Sequence, residues 1–186
     1  FSTPPHEVMR KAGSVGLPIH HIEARLVRPD GSVCGPREPG ELQLRGPVVC
    51  GGYWDDPGAT AKSIVDGWFT TGDLLETDEE GFFYVRGRIK EMFISGGENV
   101  YPVEVERALY DHPAVKEAAV VGVPDPRWGE VGAAFVVLRE PLAAEALRAF
   151  LKARLAGYKV PKHLIFLEEL PKTGPGKVQK EALKRL

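Results

Sequence analysis

The residue whose type and setting point most directly to chemistry is Lys177, near the C-terminal end of this 186-residue chain. It closes the segment Pro171-Lys172-Thr173-Gly174-Pro175-Gly176-Lys177, in which glycine and proline predict a flexible turn. A lysine on such a turn can deliver an ammonium group to an anionic site on another domain. The segment is not a P-loop, because Val178 follows Lys177 where Ser or Thr is required.

Two other residues carry groups suited to binding a nucleotide. Asp73 comes shortly after residues 65–69, which we predict to be a strand, so its carboxylate would lie at a strand end. There it could accept hydrogen bonds from both hydroxyls of a ribose, although taken alone it fits a turn-capping role better. Arg88 would offer a planar fork of donors to ribose and phosphate oxygens. Nucleotide binding is therefore a hypothesis that depends on further motifs.

The segment Ser95-Gly96-Gly97 matters for a steric reason. Residues without a β-carbon let another molecule pass close to the backbone, and they also permit tight turns. The residue types alone favour neither explanation.

Composition and charge restrict the classes of protein to consider. The chain is 43% hydrophobic and 27% charged, as is usual for a globular protein, and it has no apolar run long enough to span a membrane. Residues 1–87 carry 8 Lys and Arg against 13 Asp and Glu, whereas residues 88–186 carry 16 against 13. That positive excess suits a phosphorylated ligand but not nucleic acid. The two cysteines have no metal or redox spacing, and we expect a cytoplasmic protein.

The first part of the chain consists of short apolar segments separated by turns. We predict strands at residues 22–27, 40–46, 65–69 and 82–85, and a short helix over residues 59–64. This pattern is typical of a small β-barrel or sheet. Residues 87–91 lack a sustained apolar period, so we predict a polar hinge there and a domain boundary between Gly87 and Arg88.

The second part predicts a mixed α/β domain. Continuous apolar runs at residues 118–123 and 133–138 predict strands inside a covered sheet, and residues 164–167 predict a third strand. Helices are predicted over residues 102–110, 147–155 and 179–186, with Gly157 as the C-terminal cap of the second. The predicted fold class is α+β, with a three-stranded sheet flanked by helices in the second domain.

Four motifs resemble the later signature motifs of the adenylate-forming enzymes, which include acyl-CoA synthetases, peptide-synthetase adenylation domains and beetle luciferases. They are Gly67-Trp68-Phe69-Thr70-Thr71-Gly72-Asp73-Leu74, then Gly87-Arg88-Ile89-Lys90 with Ser95-Gly96-Gly97, then Tyr158-Lys159-Val160-Pro161, and the segment that ends at Lys177. The resemblance covers the chain from about Gly13 to its end. The phosphate loop and the Tyr-Gly-x-Thr-Glu motif of the family are absent, so we expect the last third of such an enzyme.

The resemblance implies a role for each residue that would meet the nucleotide. Asp73 and Arg88 would bind the ribose and phosphates of ATP or AMP, and Lys177 would stabilise the charge that develops during adenylation. Lys90 would be the hinge pivot, which is Asp in other branches of the family. Residues 1–87 would then be the β subdomain of the large adenylation domain, and residues 88–186 the mobile C-terminal domain.

The resemblance also implies a path for CoA. Gly96, Gly97 and Glu98 would line the tunnel for its pantetheine arm, and Gly97 matches the most sensitive position. Trp128 would lie near the CoA nucleotide, although a partly exposed packing role explains it almost as well. Lys162 is a weaker candidate for contact with a CoA phosphate.

The implied reaction is ATP-dependent ligation of a carboxylic acid to CoA through an acyl-adenylate. ATP and CoA would be co-substrates, and Mg²⁺ would accompany ATP with its ligands outside this sequence, so we predict no metal ligand here. Ile94 occupies a position that is Lys in luciferases and in some aromatic-acid ligases, and this favours a fatty acid as the substrate. We do not expect residues 1–186 to catalyse adenylation alone, and homo-oligomerisation of the full enzyme is left open.

Two other functions stay open at this point. The chain could belong to a peptide-synthetase adenylation domain, with a carrier-protein thiol as the acceptor, although residues 95–102 fit the CoA enzymes better. It could also be a non-catalytic module that binds a nucleotide or a protein partner. Nucleic acid is not an expected partner of any of these.

Overall fold

The computed structural model describes residues 1–186, which divide into two units, Phe1–Lys90 (the N-unit) and Glu91–Leu186 (the C-unit). The N-unit contains β1 (Glu23–Val27), β2 (Gly40–Arg45), α1 (Pro57–Ser63), β3 (Ile64–Val65), β4 (Trp68–Thr77) and β5 (Phe83–Arg88). Strand β4 is central in this antiparallel sheet, because it pairs with β2 along one edge and with β3 and β5 along the other. The core of the sheet is formed by Leu26, Leu42, Leu75 and Phe83.

The prediction of one strand over residues 65–69 is wrong, because a hairpin turn interrupts it. Strands β3 and β4 pair with each other, and the two residues between them, Asp66 and Gly67, have φ values of 51° and 76°. Asp-Gly in this left-handed conformation is a favoured two-residue hairpin turn. The apolar residues on either side of the turn concealed it in the sequence.

The polar connector predicted over residues 87–91 is shorter than expected. Gly87 and Arg88 continue β5, where they pair with Leu74 and Asp73. Only a single 3₁₀ turn, Ile89–Glu91, follows. The charged residues were read as a connector, but β5 is an edge strand, where charged side chains are common.

The C-unit is built around a second sheet. Its elements are β6 (Phe93–Ser95), β7 (Glu98–Val100), α2 (Pro102–Tyr110), β8 (Val115–Asp125), β9 (Gly129–Leu138), α3 (Ala144–Lys152), β10 (His163–Phe166) and α4 (Lys180–Leu183). Strand β9 is central, with β8 antiparallel on one side and β10 parallel on the other. The β6–β7 hairpin extends the sheet through one bridge between Ser95 and Gly129. The predicted α+β fold class is confirmed, but the sheet has five strands where three were predicted, because the short β6–β7 hairpin joins it.

Both faces of the β8–β9–β10 sheet are covered, as its continuous apolar strands predict. Successive residues of β9 point to opposite faces. Ala134 and Val136 pack with α2 and α3 on what we call the helical face. On the opposite face, which we call the tail face, the β9 residues pack against Leu170, Val178 and Leu183 of the C-terminal segment.

Two helix ends differ from the predictions. Helix α3 ends at Lys152, and Gly157 begins a separate 3₁₀ turn, Gly157–Lys159, so Gly157 does not cap the helix. Leu155 lies beyond the end of the helix but still packs against the core of the helical face. Its spacing from Leu151 is therefore the same as in a longer helix. Helix α4 covers only Lys180–Leu183. None of the helices has the length and hydrophobicity required to cross a membrane.

Candidate functional site

Asp73 and Arg88 face each other on neighbouring strands of the N-unit. The register of β4 and β5 places them opposite, and Arg88 Nε lies 3.0 Å from Asp73 Oδ1. The side chain of Arg88 is 63% exposed and that of Asp73 is 31% exposed. Exposed ion pairs of this kind contribute little to stability, so both groups can exchange this contact for a ligand. The structure therefore brings together the two residues that were assigned to ribose and phosphate.

Asp73 lies within β4, and the prediction that it ends a strand is wrong. The strand continues to Thr77 because β5 pairs with its second half. The backbone bends at Gly72, where φ is 73°, and the N–H of Asp73 donates to Thr71 Oγ1 at 3.1 Å. The Thr71 hydroxyl in turn donates to the carbonyl of Leu42 at 3.0 Å. This bend fixes the position of the Asp73 carboxylate.

Lys90, the residue assigned to the pivot, is the last residue of the N-unit. It lies in the 3₁₀ turn Ile89–Glu91 and its side chain is exposed. The turn is the only segment between β5 and β6 with helical character, and it contains no glycine. Any change in the direction of the backbone here would therefore require changes in the φ and ψ angles of residues other than glycine.

Lys177 ends a turn of the C-unit that is closed by backbone hydrogen bonds. In this segment, the Lys177 turn (residues 173–177), the N–H of Thr173 donates to the carbonyl of Lys177 at 2.7 Å. The N–H of Gly176, whose φ is 87°, donates to the carbonyl of Thr173 at 2.8 Å. The Lys177 side chain is exposed, and its ammonium makes no ion pair or hydrogen bond within the chain. The turn thus presents an unpaired cation on a defined backbone.

Gly96 and Gly97 form the two-residue turn between β6 and β7. Their φ values are 62° and 90°, a conformation that favours glycine, so a tight turn by itself accounts for both residues. A β-carbon on Gly96 would lie 2.8 Å from Cε3 of Trp128, whereas one on Gly97 would meet nothing within 4 Å. The Gly97 backbone and the exposed Glu98 therefore border open space, and Gly96 is packed behind the indole ring.

A pocket of about 230 Å³ opens beside this glycine turn. It is lined by Ser95, Trp128, Val131, Gly132, Gly157, Tyr158, Val160 and Lys162. The indole of Trp128 is 39% exposed and has two cations beside it. The guanidinium of Arg127 lies 4.8 Å and the ammonium of Lys162 5.4 Å from the ring centroid. The structure therefore places Trp128 and Lys162, the two weaker candidates for CoA, in one pocket that combines an aromatic surface with positive charge.

Asp125 holds this arrangement in place, and the sequence did not predict it. Its Oδ1 accepts the backbone N–H groups of Arg127 and Trp128, each at 2.9 Å, and its Oδ2 accepts from Lys162 at 3.1 Å. The N–H of Arg127 and then the Lys162 ammonium hold the pKa of Asp125 below its usual value. Short-range sequence patterns carry no signal for this contact, because Asp125 and Lys162 are 37 positions apart.

Two further charged residues fix the pocket wall, which we define as residues 157–162. Arg148 of α3 donates to the carbonyl of Pro161 at 2.6 Å and to that of Lys162 at 3.0 Å. Lys159 donates to both carboxylate oxygens of Glu104 on α2, at 2.7 and 2.8 Å. The sequence predicted none of these contacts. These contacts attach the pocket wall to α2 and α3, the two helices of the helical face.

The chain contains no group of three or more His, Cys, Asp or Glu side chains that could hold a metal ion.

Comparison with models of protein families identifies the family of this chain. A model described as the AMP-binding enzyme C-terminal domain matches residues 104–177, and a model described as AMP-binding enzyme matches residues 1–54. The chain belongs to the AMP-binding, adenylate-forming enzyme family. The resemblance inferred from the four motifs is thus confirmed, and residues 104–177 of this AMP-binding protein fall entirely within the C-unit.

The relatives of this AMP-binding chain include several CoA ligases. Feruloyl-CoA synthase from an Amycolatopsis species is 49% identical over 180 residues, which are 96% of this chain and 37% of that protein. Indoleacetate–CoA ligase from Aromatoleum aromaticum is 47% identical over 187 residues, covering 98% of this chain and 36% of that protein. The solved structure of o-succinylbenzoate CoA synthetase from Bacillus subtilis, in complex with its acyl-adenylate intermediate, matches with a TM-score of 0.93 and 44% identity over 97% of this chain and 37% of that one. The chain therefore spans little more than a third of the length of these relatives.

Proposed function

We propose that the protein containing this chain is an ATP-dependent acid–CoA ligase that forms an acyl-adenylate. In the first half-reaction a carboxylate oxygen attacks the α-phosphorus of ATP, and pyrophosphate leaves. In the second, the CoA sulfur loses its proton and attacks the acyl carbon, and AMP leaves. The relatives that match nearly the whole of this chain are named for CoA ligation, which supports a CoA thiol rather than a carrier-protein thiol as the acceptor.

The observation that carries the proposal is that the Lys177 turn and the pocket belong to opposite faces of one sheet. Val178, next to Lys177, packs on the tail face, whereas Val160 of the pocket wall packs on the helical face. A single unit could therefore serve both half-reactions by presenting its two faces in turn. We assign this change of orientation to a rotation at Lys90, since hinges act at a few residues at the ends of elements.

Each face offers the charge that its half-reaction requires. During adenylation both reactants are anionic and negative charge gathers on the phosphoryl oxygens, so a positioned lysine without an internal partner lowers the barrier. Lys177 meets this requirement. For the second half-reaction, the pocket offers Lys162 and Arg127 for phosphate groups of CoA and the indole of Trp128 for its adenine. The open backbone beside Gly97 and Glu98 is assigned to the pantetheine arm.

Asp73 and Arg88 are assigned to the nucleotide. Arg88 Nε engages one oxygen of Asp73, so Asp73 Oδ2 stays available as an acceptor for a ribose hydroxyl. The remaining N–H groups of the guanidinium can donate to a phosphate. The two residues would thus hold the ribose and orient the α-phosphate while the acid attacks.

We propose an acid with an aromatic ring as the substrate. Feruloyl-CoA synthase and indoleacetate–CoA ligase are both named for such acids. The preference for a fatty acid depended on the residue type at position 94 alone, where the Ile94 side chain is 49% exposed in β6. The substrates for which these relatives are named outweigh that single residue.

Separate measurement of the two half-reactions tests the proposed function in the gene product that contains this chain. Lys177→Ala should slow acyl-adenylate formation about a hundredfold, or about 3 kcal/mol, by analogy with the loss of one oxyanion donor. It should leave thioester formation from supplied acyl-adenylate unchanged. Gly97→Leu should do the reverse, because a branched side chain would enter the open space beside the turn.

Lys172→Ala is the matched control. Lys172 lies on the same segment, but its ammonium is already paired with Glu117 at 2.7 Å, so both half-reactions should proceed at the wild-type rate. Equal losses in both half-reactions for Lys177→Ala would contradict a division of labour between two faces.

A further inference from the structure

Lys180 lies three positions beyond Lys177, yet its surroundings are entirely different. Its Nζ lies 2.6 Å from Oε2 of Glu91 and 2.8 Å from Oε1 of Glu106, and its side chain is only 21% exposed. Glu91 directly follows Lys90, and Glu106 belongs to α2. One ammonium group therefore connects α4 to α2 and to the residue after the pivot.

The network extends one step further into the sheet. Oε1 of Glu106 also accepts the N–H of Val120 in β8 at 2.9 Å. Burial alone would lower the pKa of Lys180, but the carboxylates of Glu106 and Glu91 outweigh it and raise the pKa, so the ammonium stays charged at neutral pH. Removal of this cation would leave two carboxylates facing each other, one of them 16% exposed.

Val178 and Lys172 anchor the Lys177 turn to the sheet, through packing on the tail face and an ion pair with Glu117, but neither contact reaches the segment after the pivot. The turn is followed by α4, a helix of four residues that is too short to be stable in isolation. The C-terminal end of α4 is held by the buried Leu183. At its N-terminal end, the part nearer to Lys177, the contact outside the tail segment is the ion pair of Lys180 with Glu91 and Glu106.

We propose that Lys180 is a positioning residue that joins the Lys177 turn to the segment after the pivot, so that turn and pivot move as one body. This inference rests on the proposed function. Lys180 touches no reactant, and it acts by keeping the Lys177 ammonium at a fixed distance from the hinge. A displacement of about 1 Å in a catalytic group can cost up to a hundredfold in rate, so a contact of this kind matters even though it is remote from the phosphate.

A positioning role and a general structural role predict different kinetics. If Lys180 only stabilised the fold, its loss would reduce both half-reactions in parallel. If it positions Lys177, its loss lowers kcat for adenylation, leaves the KM for ATP unchanged and spares thioester formation from supplied acyl-adenylate. The pocket wall depends on Arg148 and Glu104 instead, which explains why the second half-reaction should be insensitive.

The kinetic test uses three variants of the gene product that contains this chain. We expect Lys180→Met to lower kcat for acyl-adenylate formation between about tenfold and a hundredfold. Lys180→Arg should restore most of this loss, because a guanidinium can still bridge the two carboxylates. Lys184→Met is the matched control, since Lys184 pairs only with Glu181 in its own turn at 3.1 Å and should give wild-type rates. Equal loss in both half-reactions, or no recovery with arginine, would overturn the proposal.

A second measurement is independent of catalysis. In the gene product that contains this chain, hydrogen exchange of the amides of Thr173 and Gly176 should accelerate about tenfold in Lys180→Met, with the amides of β9 unchanged. If the wild-type protein shows neither half-reaction, the proposed function fails and this exchange measurement still decides the inference. Unchanged exchange in the Lys177 turn would overturn it. Should Lys180→Met not fold, Glu91→Gln weakens the same bridge and should accelerate exchange in the same amides to a smaller extent.

Discussion

The pocket wall and the Lys177 turn hold their lysines in opposite ways. Lys162 of the wall is paired with Asp125, and Arg148 fixes the backbone around it. Lys177 has no internal partner, and its turn is closed by backbone hydrogen bonds. The proposed function gives a reason for this difference: a cation that binds a ligand on its own unit can be oriented by neighbouring carboxylates. A cation that is proposed to reach a phosphate outside its own unit would have to stay unpaired, so only the backbone that carries it could be fixed.

The largest expected difference between the two regions comes from one β-carbon. Gly96→Ala and Gly176→Ala both place alanine at positive φ, which costs about 1–2 kcal/mol. At Gly96 the new atom would also lie 2.8 Å from Trp128, whereas at Gly176 it would meet nothing within 4 Å. Overpacking adds about 1–3 kcal/mol, so Gly96→Ala should lower the free energy of unfolding by about 2–5 kcal/mol and Gly176→Ala by about 1–2. Urea denaturation measures both, and equal losses would show that the indole moves aside freely.

A smaller effect should follow from loosening the pocket wall. Arg148→Met removes two charge-assisted hydrogen bonds to backbone carbonyls and should destabilise the C-unit by about 1–2 kcal/mol, given the partial exposure of the guanidinium. The KM for CoA should rise severalfold, while acyl-adenylate formation keeps its wild-type rate.

Arg154→Met provides the control for that change. Arg154 lies over the ring of Phe150 and donates only to the Phe150 carbonyl, so it does not reach the wall. A rise in the KM for CoA in this variant, or a loss of adenylation in Arg148→Met, would contradict the separation of the two regions.

The smallest expected effect is a change in stability at acid pH, and it involves Asp125, which pairs with Lys162 of the pocket wall. The pKa of Asp125 in the folded protein lies below its usual value of 3.8, chiefly because of the Arg127 N–H and also because of Lys162. The stabilisation by Asp125 is therefore complete above pH 3.8 and disappears as the pH falls through the lowered folded-state pKa. The stability difference between wild type and Asp125→Asn should accordingly narrow below pH 3.8 in acid titrations followed by denaturation. A constant difference across that range would show that the carboxylate charge does not hold the wall.

Elements with strong local patterns could be predicted from the sequence. Helix α2 begins at Pro102, and Val105 and Leu109 recur on its buried face, so local residue types determine both its start and its orientation. The apolar runs of β8 and β9 similarly predict strands covered on both faces. The Asp66-Gly67 turn carried a usable hairpin signal, but the apolar residues around it matched a single strand equally well.

The contacts that position the candidate site could not be predicted in the same way. Lys180 and Glu91 are 89 positions apart, and Arg148 and Pro161 are 13 apart. Neither spacing corresponds to a helical or strand period, and the order of the strands has to be known before these pairs can be inferred. The motifs identified Asp73 and Arg88 separately, and only the register of β4 and β5 shows that they meet.

Trp128 has a spectroscopic consequence. It is the only one of the three tryptophans that lies in the C-unit, because Trp54 and Trp68 belong to the N-unit. Indole fluorescence responds to nearby charge, and Arg127 and Lys162 both lie beside this ring. In the double variant Trp54→Phe, Trp68→Phe, tryptophan emission would therefore come from the pocket alone. Its wavelength should shift when a bound molecule displaces either cation.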